Sequence, residues 1–404
     1  MAPSIHSKTS KSSTKISTED NTNTKEIPSP SHHIGSPPTS FRNPWPSFTQ
    51  HTPWEILQAR FSKNRNFVPV PTTRDELVSV RKPDWGMGTG TTGKEGMKVT
   101  WIGHASFFVE SSKRGEGRRE RGVRVLFDPL WSERTSPVQW VGPKRYTPVP
   151  CTLQEVPDVD LVLISHNHYD HMDSYALKEL YRMREGNVRF ICPLGNAAFF
   201  HSLGIKPSQV FEFDWWHGDV FEVPGVGSVR LTCTPSQHAS GRAIWDQGSA
   251  LWCSWVLEEV EAESEPGRAV KKLFFAGDTG YRSVPLDYPP DAPEDSLPFC
   301  PAFKEIGEKF GPFDLALLPI GLYSPRKMLS SVHCNAEDSV NIHFDIRSKR
   351  SIGMHWGTIR GGISGQYEDV REPPRKWKEA VEEKGLTWGV EAGLLDVGET
   401  LVIE

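Results

Sequence analysis

The sequence predicts an α/β fold in which layers of sheet are covered by helices, and three observations predict it. Four segments share one format, a short apolar strand followed at once by a polar residue of metal-ligand type: DLVLISHNHYDH at 160–171, VRLTCTPSQH at 229–238, KLFFAGD at 272–278 and RSIGMH at 350–355. Patterns of helical period stand between them at 174–184, 301–310 and 335–345, the last with its acids early, where the helix dipole favours them. Strands and helices that interleave in this way bury their apolar faces as covered sheet, and 404 residues suffice for one large domain or two ordinary ones.

In chain order, residues 1–40 hold sixteen Ser or Thr and five Pro with little to bury, so ordering them has no offset and a disordered tail is expected. Lys8, Lys11 and Lys15 precede the first acid, Glu19, a faint likeness to a mitochondrial transit peptide, although Arg is absent. An ordered domain is expected over 41–404, opening with Trp45, Phe48, Trp54, Ile56, Leu57 and Phe61. KVTWIGHASFFV at 98–109 and VRVLFDP at 123–129 read as strands of one sheet, and SSKRGEGRRERG at 111–122 as the exposed hairpin loop between them. The stretches 258–267 and 282–298 read as surface insertions.

Composition narrows function. A net charge of −5 gives no basic face for DNA or RNA, so no nucleic-acid partner is expected. Six scattered cysteines without a Cys-x-x-Cys pair read as reduced thiols of an intracellular protein. No window approaches the ~20 apolar residues of a membrane span, so membrane contact is expected to be peripheral.

The chemistry concentrates in SHNHYDHMD, where His166, His168, Asp170 and His171 follow an apolar strand. Imidazole and carboxylate are the nitrogen and oxygen ligands that zinc favours. Residues at i and i+2 of an extended segment project to one side, so His166 and His168 can chelate one ion, with Asp170 and His171 at the turn for a second. Two ions need further ligands at other strand ends, and His238, Asp278 and His355 each follow an apolar run. The resulting assignment is His166, His168, His238 and Asp278 to one zinc, and Asp170, His171, His355 and the same Asp278 to the other, with Asp278 as bridge.

This pattern resembles that of the metallo-β-lactamase superfamily, which implies an αββα sandwich of two mixed sheets flanked by helices. More narrowly, NPWP at 43–46, WIGHAS at 101–106, DPLWSERTSP at 128–137, GPKRY at 142–146, TPSQH at 234–238, FFAGDTGY at 274–281, PAFKEIGEKFGPFDLALLPIG at 301–321 and HWGT at 355–358 resemble the N-acyl-phosphatidylethanolamine phospholipases D. The resemblance implies a dizinc phosphodiesterase that hydrolyses N-acyl-phosphatidylethanolamine to N-acylethanolamine and phosphatidic acid with metal-activated hydroxide. Asp170, Asp278 and His333 are then the catalytic residues, His333 lying near the substrate phosphate. It further implies a phospholipid substrate, a peripheral membrane surface and a homodimer. The chain departs from the animal members at Ala239-Ser240-Gly241, at Val332 and in an insertion at 282–299, which follows the bridging carboxylate and is expected to alter the mouth of the pocket.

Two residues, His104 and Asp128, read either as supports for the ligands, since a metal-bound imidazole has its other nitrogen fixed by a carboxylate, carbonyl or water, or as residues with a local structural role. His201, His217 and His343 read as ordinary histidines, and Trp215, Trp216, Trp245, Trp252 and Trp255 as core or acyl-chain groove. The competing functions are another hydrolase on the same scaffold, a lactonase or small phosphodiesterase, and a metal-bearing binding protein without turnover.

Overall fold

The computed structural model describes residues 30–63, 65–87, 95–113, 121–260, 270–289 and 291–404. Two seven-stranded mixed sheets share one core. The first runs Thr400–Ile403, Met97–Gly103, Ser106–Glu110, Arg124–Phe127, Leu161–Leu163, Arg189–Pro193 and Val210–Phe213, antiparallel through its first four strands and parallel thereafter. The second runs Gly218–Val223, Gly227–Thr234, Ser254–Glu259, Lys272–Phe275, Leu315–Pro319, Ser351–Met354 and Ala392–Gly393, with the same change of sense after its fourth strand.

The period-two alternation of strand side chains divides the first sheet between two cores. Phe107, Phe127, Leu161 and Leu163 join residues of the second sheet, while Phe108, Leu126, Val162 and Phe190 form a separate cluster with the helix Ser174–Met183. Strands buried on both faces lose polar alternation, which is why VLF at 125–127 and LVLI at 161–164 read as unbroken apolar runs. Between the sheets Phe127 meets Phe275 at 4.8 Å, and the Trp255 indole N–H donates to the Ile164 carbonyl at 3.0 Å. On the other side Phe303 and Ile306 of Ala302–Lys309, Val340 and Ile342 of Ala336–Asp345, and Trp377 and Val381 of Glu372–Glu383 enter the core of the second sheet. The expected helices at 174–184, 301–310 and 335–345 thus form within a residue of their ends, Asp173 and Asn335 capping two of them through their side chains.

The tail expected at 1–40 requires correction over its described part. His33–Ile34 pairs with Ser40–Phe41, and His32 is buried against Asp214, so order begins no later than Pro30; residues 1–29 lie outside the described residues. The hairpin expected between 98–109 and 123–129 is present, with Phe107 opposite Phe127, while 114–120 of its loop lies outside the described residues. Glu258 and Glu259 belong to a strand rather than to an insertion, Glu258 opposite Lys272; residues 261–269 are not described. Among the described residues no helix is long and apolar enough to cross a membrane.

Candidate metal centre

The site forms where strands of both sheets end. His166 follows Leu161–Leu163, His238 follows Gly227–Thr234, Asp278 follows Lys272–Phe275 and His355 follows Ser351–Met354. His104, Asp128 and His355 all stand at strand ends with positive φ, 54°, 38° and 63°, a left-handed conformation that turns the chain sharply. Gly277, at φ 60°, lets the two sheets approach: a Cβ there would lie 2.7 Å from Ser165 Cβ. His171 lies on the turn after the first strand, its amide donating to the His168 carbonyl at 3.1 Å.

The donors fall into two groups, each with ligand atoms within 4.8 Å of one another: His166, His168 and His238, and Asp170, His171 and His355 together with His104. Asp278 stands between them. Its Oδ2 is 3.1 Å from His171 Nε2, 3.8 Å from His238 Nε2 and 3.9 Å from His166 Nε2, and its Oδ1 is 3.0 Å from His355 Nε2. All seven sequence-derived candidates therefore come together, and the division into two groups about Asp278 is the one their order along the chain suggested.

These atoms fit a cation. His171 Nε2, His355 Nε2 and Asp278 Oδ1 are buried without a hydrogen bond, as is His333 Nδ1, 3.9 Å from Asp278 Oδ2. Buried polar atoms left unpaired cost free energy, and a divalent ion satisfies His171 Nε2, His355 Nε2 and Asp278 Oδ1 at once. The ionisation states differ between the two groups: against burial, the carboxylates of Asp278 and Asp170 raise His171 well above the usual imidazole range and His355 to about 9, so an ion there displaces their protons. Burial holds His166 and His238 well below the usual imidazole range and lowers His168, leaving their lone pairs free. Burial alone would raise the Asp278 carboxyl, but His171 and His355 hold it well below its ordinary value; for Asp170, His171 and His104 do the same.

Asp128 and His104 both lie against the candidate ligands. Asp128, fully buried, accepts from the Ser165 amide at 2.7 Å and hydroxyl at 2.6 Å and lies 2.7 Å from His171 Nδ1. Burial pushes its carboxyl up, against the hydrogen bonds from His171 and Ser165. His104 Nε2 is 3.0 Å from Asp170 Oδ2, close enough to stand among the ligands themselves. Sequence reasoning missed the backbone contributions, which carry no residue signature: the Val332 carbonyl lies 2.9 Å from His238 Nδ1, and Gly321 O lies 3.5 Å from His355 Nδ1. The Val332 departure therefore leaves this contact intact. The Ala239-Ser240-Gly241 departure is tied to the metal motif, since the Gly241 amide donates to Asn167 Oδ1 at 2.7 Å. Asn43 also reaches the site, donating to the His238 carbonyl at 2.7 Å.

The insertion at 282–299 is closed at its base, where Arg282 bridges Phe299. Arg282, expected on the surface, is buried, with Nε 2.8 Å from Asp338; Arg326 joins Asp338 at 2.7 Å to Glu294 of the insertion at 2.6 Å. This ionic cluster clamps the insertion against the segment that carries His333. A cleft of about 270 Å³ is lined by His168, Asp170, Asp278 and His333 and by apolar Leu322, Leu329, Ile359 and Ile363, with no described residue of the insertion among its walls. Of the tryptophans, Trp215, Trp252 and Trp255 are core and Trp216 is half-buried, whereas Trp245 is neither core nor groove, being 88% exposed. His343 is structural, 2.8 Å from the Ser351 hydroxyl.

Two mixed sheets flanked by helices, with buried imidazoles and carboxylates converging at one edge, define a metal-dependent hydrolase. The sequence profile of the Beta-lactamase superfamily domain matches residues 123–356. The chain is 33% identical over 293 residues to N-acyl-phosphatidylethanolamine-hydrolyzing phospholipase D 1 of Caenorhabditis elegans, covering 72% of each protein. It is 29% identical over 372 residues to the mitochondrial N-acyl-phosphatidylethanolamine-hydrolyzing phospholipase D of Saccharomyces cerevisiae, covering 83% of this chain and 70% of the yeast protein. Among solved structures, a possible metal-dependent hydrolase from Veillonella parvula matches with TM-score 0.51 at 12% identity, over 76% of this chain and 100% of that one, a likeness of fold. The chain belongs to the β-lactamase superfamily and, within it, to the family of the N-acyl-phosphatidylethanolamine-hydrolysing phospholipases D.

Proposed function

We propose that the chain is a dizinc phosphodiesterase that hydrolyses N-acyl-phosphatidylethanolamine to N-acylethanolamine and phosphatidic acid at a membrane surface. The observation that carries this reading is a clustered donor set of which His168, Asp170 and Asp278 line a cleft shared with apolar side chains, the combination a phosphodiester between acyl chains requires. The names of the worm and yeast relatives point to the same substrate.

The surroundings of the cleft support an amphiphilic substrate. The helix Pro53–Arg60 exposes Trp54, Ile56 and Leu57, followed by exposed Phe61; the Tyr367 hydroxyl donates to its Ala59 carbonyl at 2.6 Å, and the Tyr367 amide donates to the carbonyl of Ser364, which lines the cleft, at 2.9 Å. The loop bearing Ile244 and Trp245, 91% and 88% exposed, is fastened to the metal motif through Arg242, which donates to the carbonyls of Asn167 and Met172 at 2.9 Å. Apolar side chains projecting beside a site in this way suit a bilayer interface. An intracellular, peripherally membrane-associated enzyme fits these features, and the mitochondrial yeast relative makes that compartment the one to examine first.

Zinc bound by these residues supplies a Lewis acid for the phosphate and lowers the pKa of water toward ~7. The chain's own contribution is positional. Asp128 and the Val332 carbonyl fix the rings of His171 and His238. His333 has its pKa pushed down to about 4 by burial, so at neutral pH it offers the phosphate a hydrogen bond from a neutral ring rather than a proton from an imidazolium. Leu322, Leu329, Ile359 and Ile363 take the acyl chain and exclude water.

Presenting the purified chain with N-acyl-phosphatidylethanolamine vesicles, a water-soluble lactone and bis(p-nitrophenyl) phosphate tests the reading. Turnover of the vesicles above both soluble compounds, with binding to liposomes, is expected. Turnover of the lactone without liposome binding overturns the assigned substrate and leaves the metal-dependent hydrolase standing.

A further inference from the structure

A second set of metal-type donors lies outside this centre, where the N-terminal ribbon meets the end of the strand Val210–Phe213. His32 Nε2 is 2.7 Å from Asp214 Oδ1 and His33 Nε2 is 2.8 Å from Asp214 Oδ2, with side chains only 7%, 9% and 11% exposed. The three ligand atoms lie within 4.8 Å of one another. The two contacts differ in kind. His32 Nε2 is in hydrogen-bond geometry with Asp214, whereas His33 Nε2, at a similar distance, is buried without a hydrogen bond, its carboxylate neighbour lying off the line of a ring N–H.

The principal metal centre shows the same signature. His171 Nε2 and His355 Nε2 each lie about 3 Å from an Asp278 oxygen, at 3.1 and 3.0 Å, and both are buried without a hydrogen bond. A nitrogen beside a carboxylate oxygen, but not directed at it, is the arrangement of two ligands that face a common ion. Two imidazoles and one carboxylate form a donor set for a borderline divalent ion such as zinc or cobalt, with a fourth position open to water. Magnesium and calcium, which take oxygen ligands, do not suit it.

We propose that His32, His33 and Asp214 form a further transition-metal site, separate from the hydrolytic centre, that fastens the N-terminal segment onto the fold. The fastening matters because of where that segment leads. His32 stacks on Trp215 at 4.2 Å and Trp45 stacks on the same indole at 5.4 Å. Beyond them Asn43 donates to the His238 carbonyl at 2.7 Å, and the Ser47 hydroxyl donates to Gln237 Oε1 at 2.6 Å. The segment held by the proposed ion thus runs directly behind one ligand of the principal centre. Binding that occurs only in the folded state adds to stability by mass action.

The test is metal content of the full chain after equilibration with zinc chloride and desalting, for wild type, His33→Gln and Asp214→Asn. Gln retains an N–H that can hydrogen-bond to Asp214 but lacks the imidazole lone pair, and Asn retains an acceptor for His32. One equivalent of zinc fewer per chain in each variant is expected, with a smaller rise in Tm on adding zinc. Equal zinc content in all three overturns the proposal and leaves a hydrogen-bonded clamp only. Should a variant fail to fold, diffraction from wild-type crystals at the zinc edge decides: an anomalous peak among the three donor atoms supports the site, and its absence at saturating zinc overturns it.

Discussion

Asp128→Asn separates a ligand's orientation from its presence. The Asp128 carboxylate accepts from the Ser165 amide and hydroxyl and faces His171 Nδ1 at 2.7 Å, all in a site without solvent. Asn keeps the shape and one acceptor for the Ser165 amide, and the Ser165 hydroxyl can reverse to accept. At His171 Nδ1 there is no such freedom: the new amide N–H must donate to it, which moves the ring proton to Nε2. Nε2 is the atom that faces Asp278 at 3.1 Å and Asp170 at 3.7 Å, so the substitution places a proton where the metal lone pair should be. Loss of such an orienting partner costs roughly 10- to 100-fold in metal affinity, or about 1.4–2.7 kcal/mol. Zinc titration against a competing chelator, beside circular dichroism to confirm the fold, reads the effect directly. Weakening of one ion by that factor, with the other retained, is expected. Unchanged affinity for both ions in a folded Asp128→Asn protein would refute the orienting role.

Three further outcomes follow from the geometry. Gly277→Ala should lower metal occupancy and activity together, because its Cβ would sit 2.7 Å from Ser165 Cβ and force the two strand ends apart; full zinc content in this variant would contradict the close-approach argument. Arg326→Met should destabilise the fold by about 2 kcal/mol, by leaving Glu294 without its cation and buried Asp338 with Arg282 alone, and an unchanged urea midpoint would show that Arg326 does not clamp the insertion. Glu368, buried while accepting from the amides of Leu322, Tyr323 and Ser324, has its pKa raised to about 7 by burial. Between about 4.5, its unfolded value, and 7, the folded state alone keeps the proton, so this residue's contribution makes stability fall as pH rises, by at most about 3 kcal/mol. Glu368→Gln should flatten that part of the profile, and an identical profile in the variant would show that Glu368 ionises normally.

The clustering of the candidate ligands was legible because each stands next to a strand that announces itself locally. LVLI before SHNHYDH, KLFF before AGD and SIGM before His355 are apolar runs whose burial is fixed by their own composition, so the residue after each had to emerge at a sheet edge. His104 and Asp128 could be inferred for the same reason, although not their left-handed backbone. What escaped was order sustained by distant partners. The residues at 30–40 look unable to fold because their anchor, Asp214, lies 182 positions beyond His32. Arg282 looks like a surface charge until Asp338 is brought beneath it. The exposure of Ile244 and Trp245 has no local signature either, since apolar residues near a motif read equally well as core.

The most direct test of the central claim is the fate of oxygen when the purified chain meets N-acyl-phosphatidylethanolamine vesicles in oxygen-18 water, followed by mass spectrometry beside an Asp278→Asn control. N-acylethanolamine and phosphatidic acid are expected, with the label in the phosphate of the latter, and neither product from the control. Intact lipid with both metal positions filled, or label recovered in a fatty acid instead of the phosphate, would contradict the central claim.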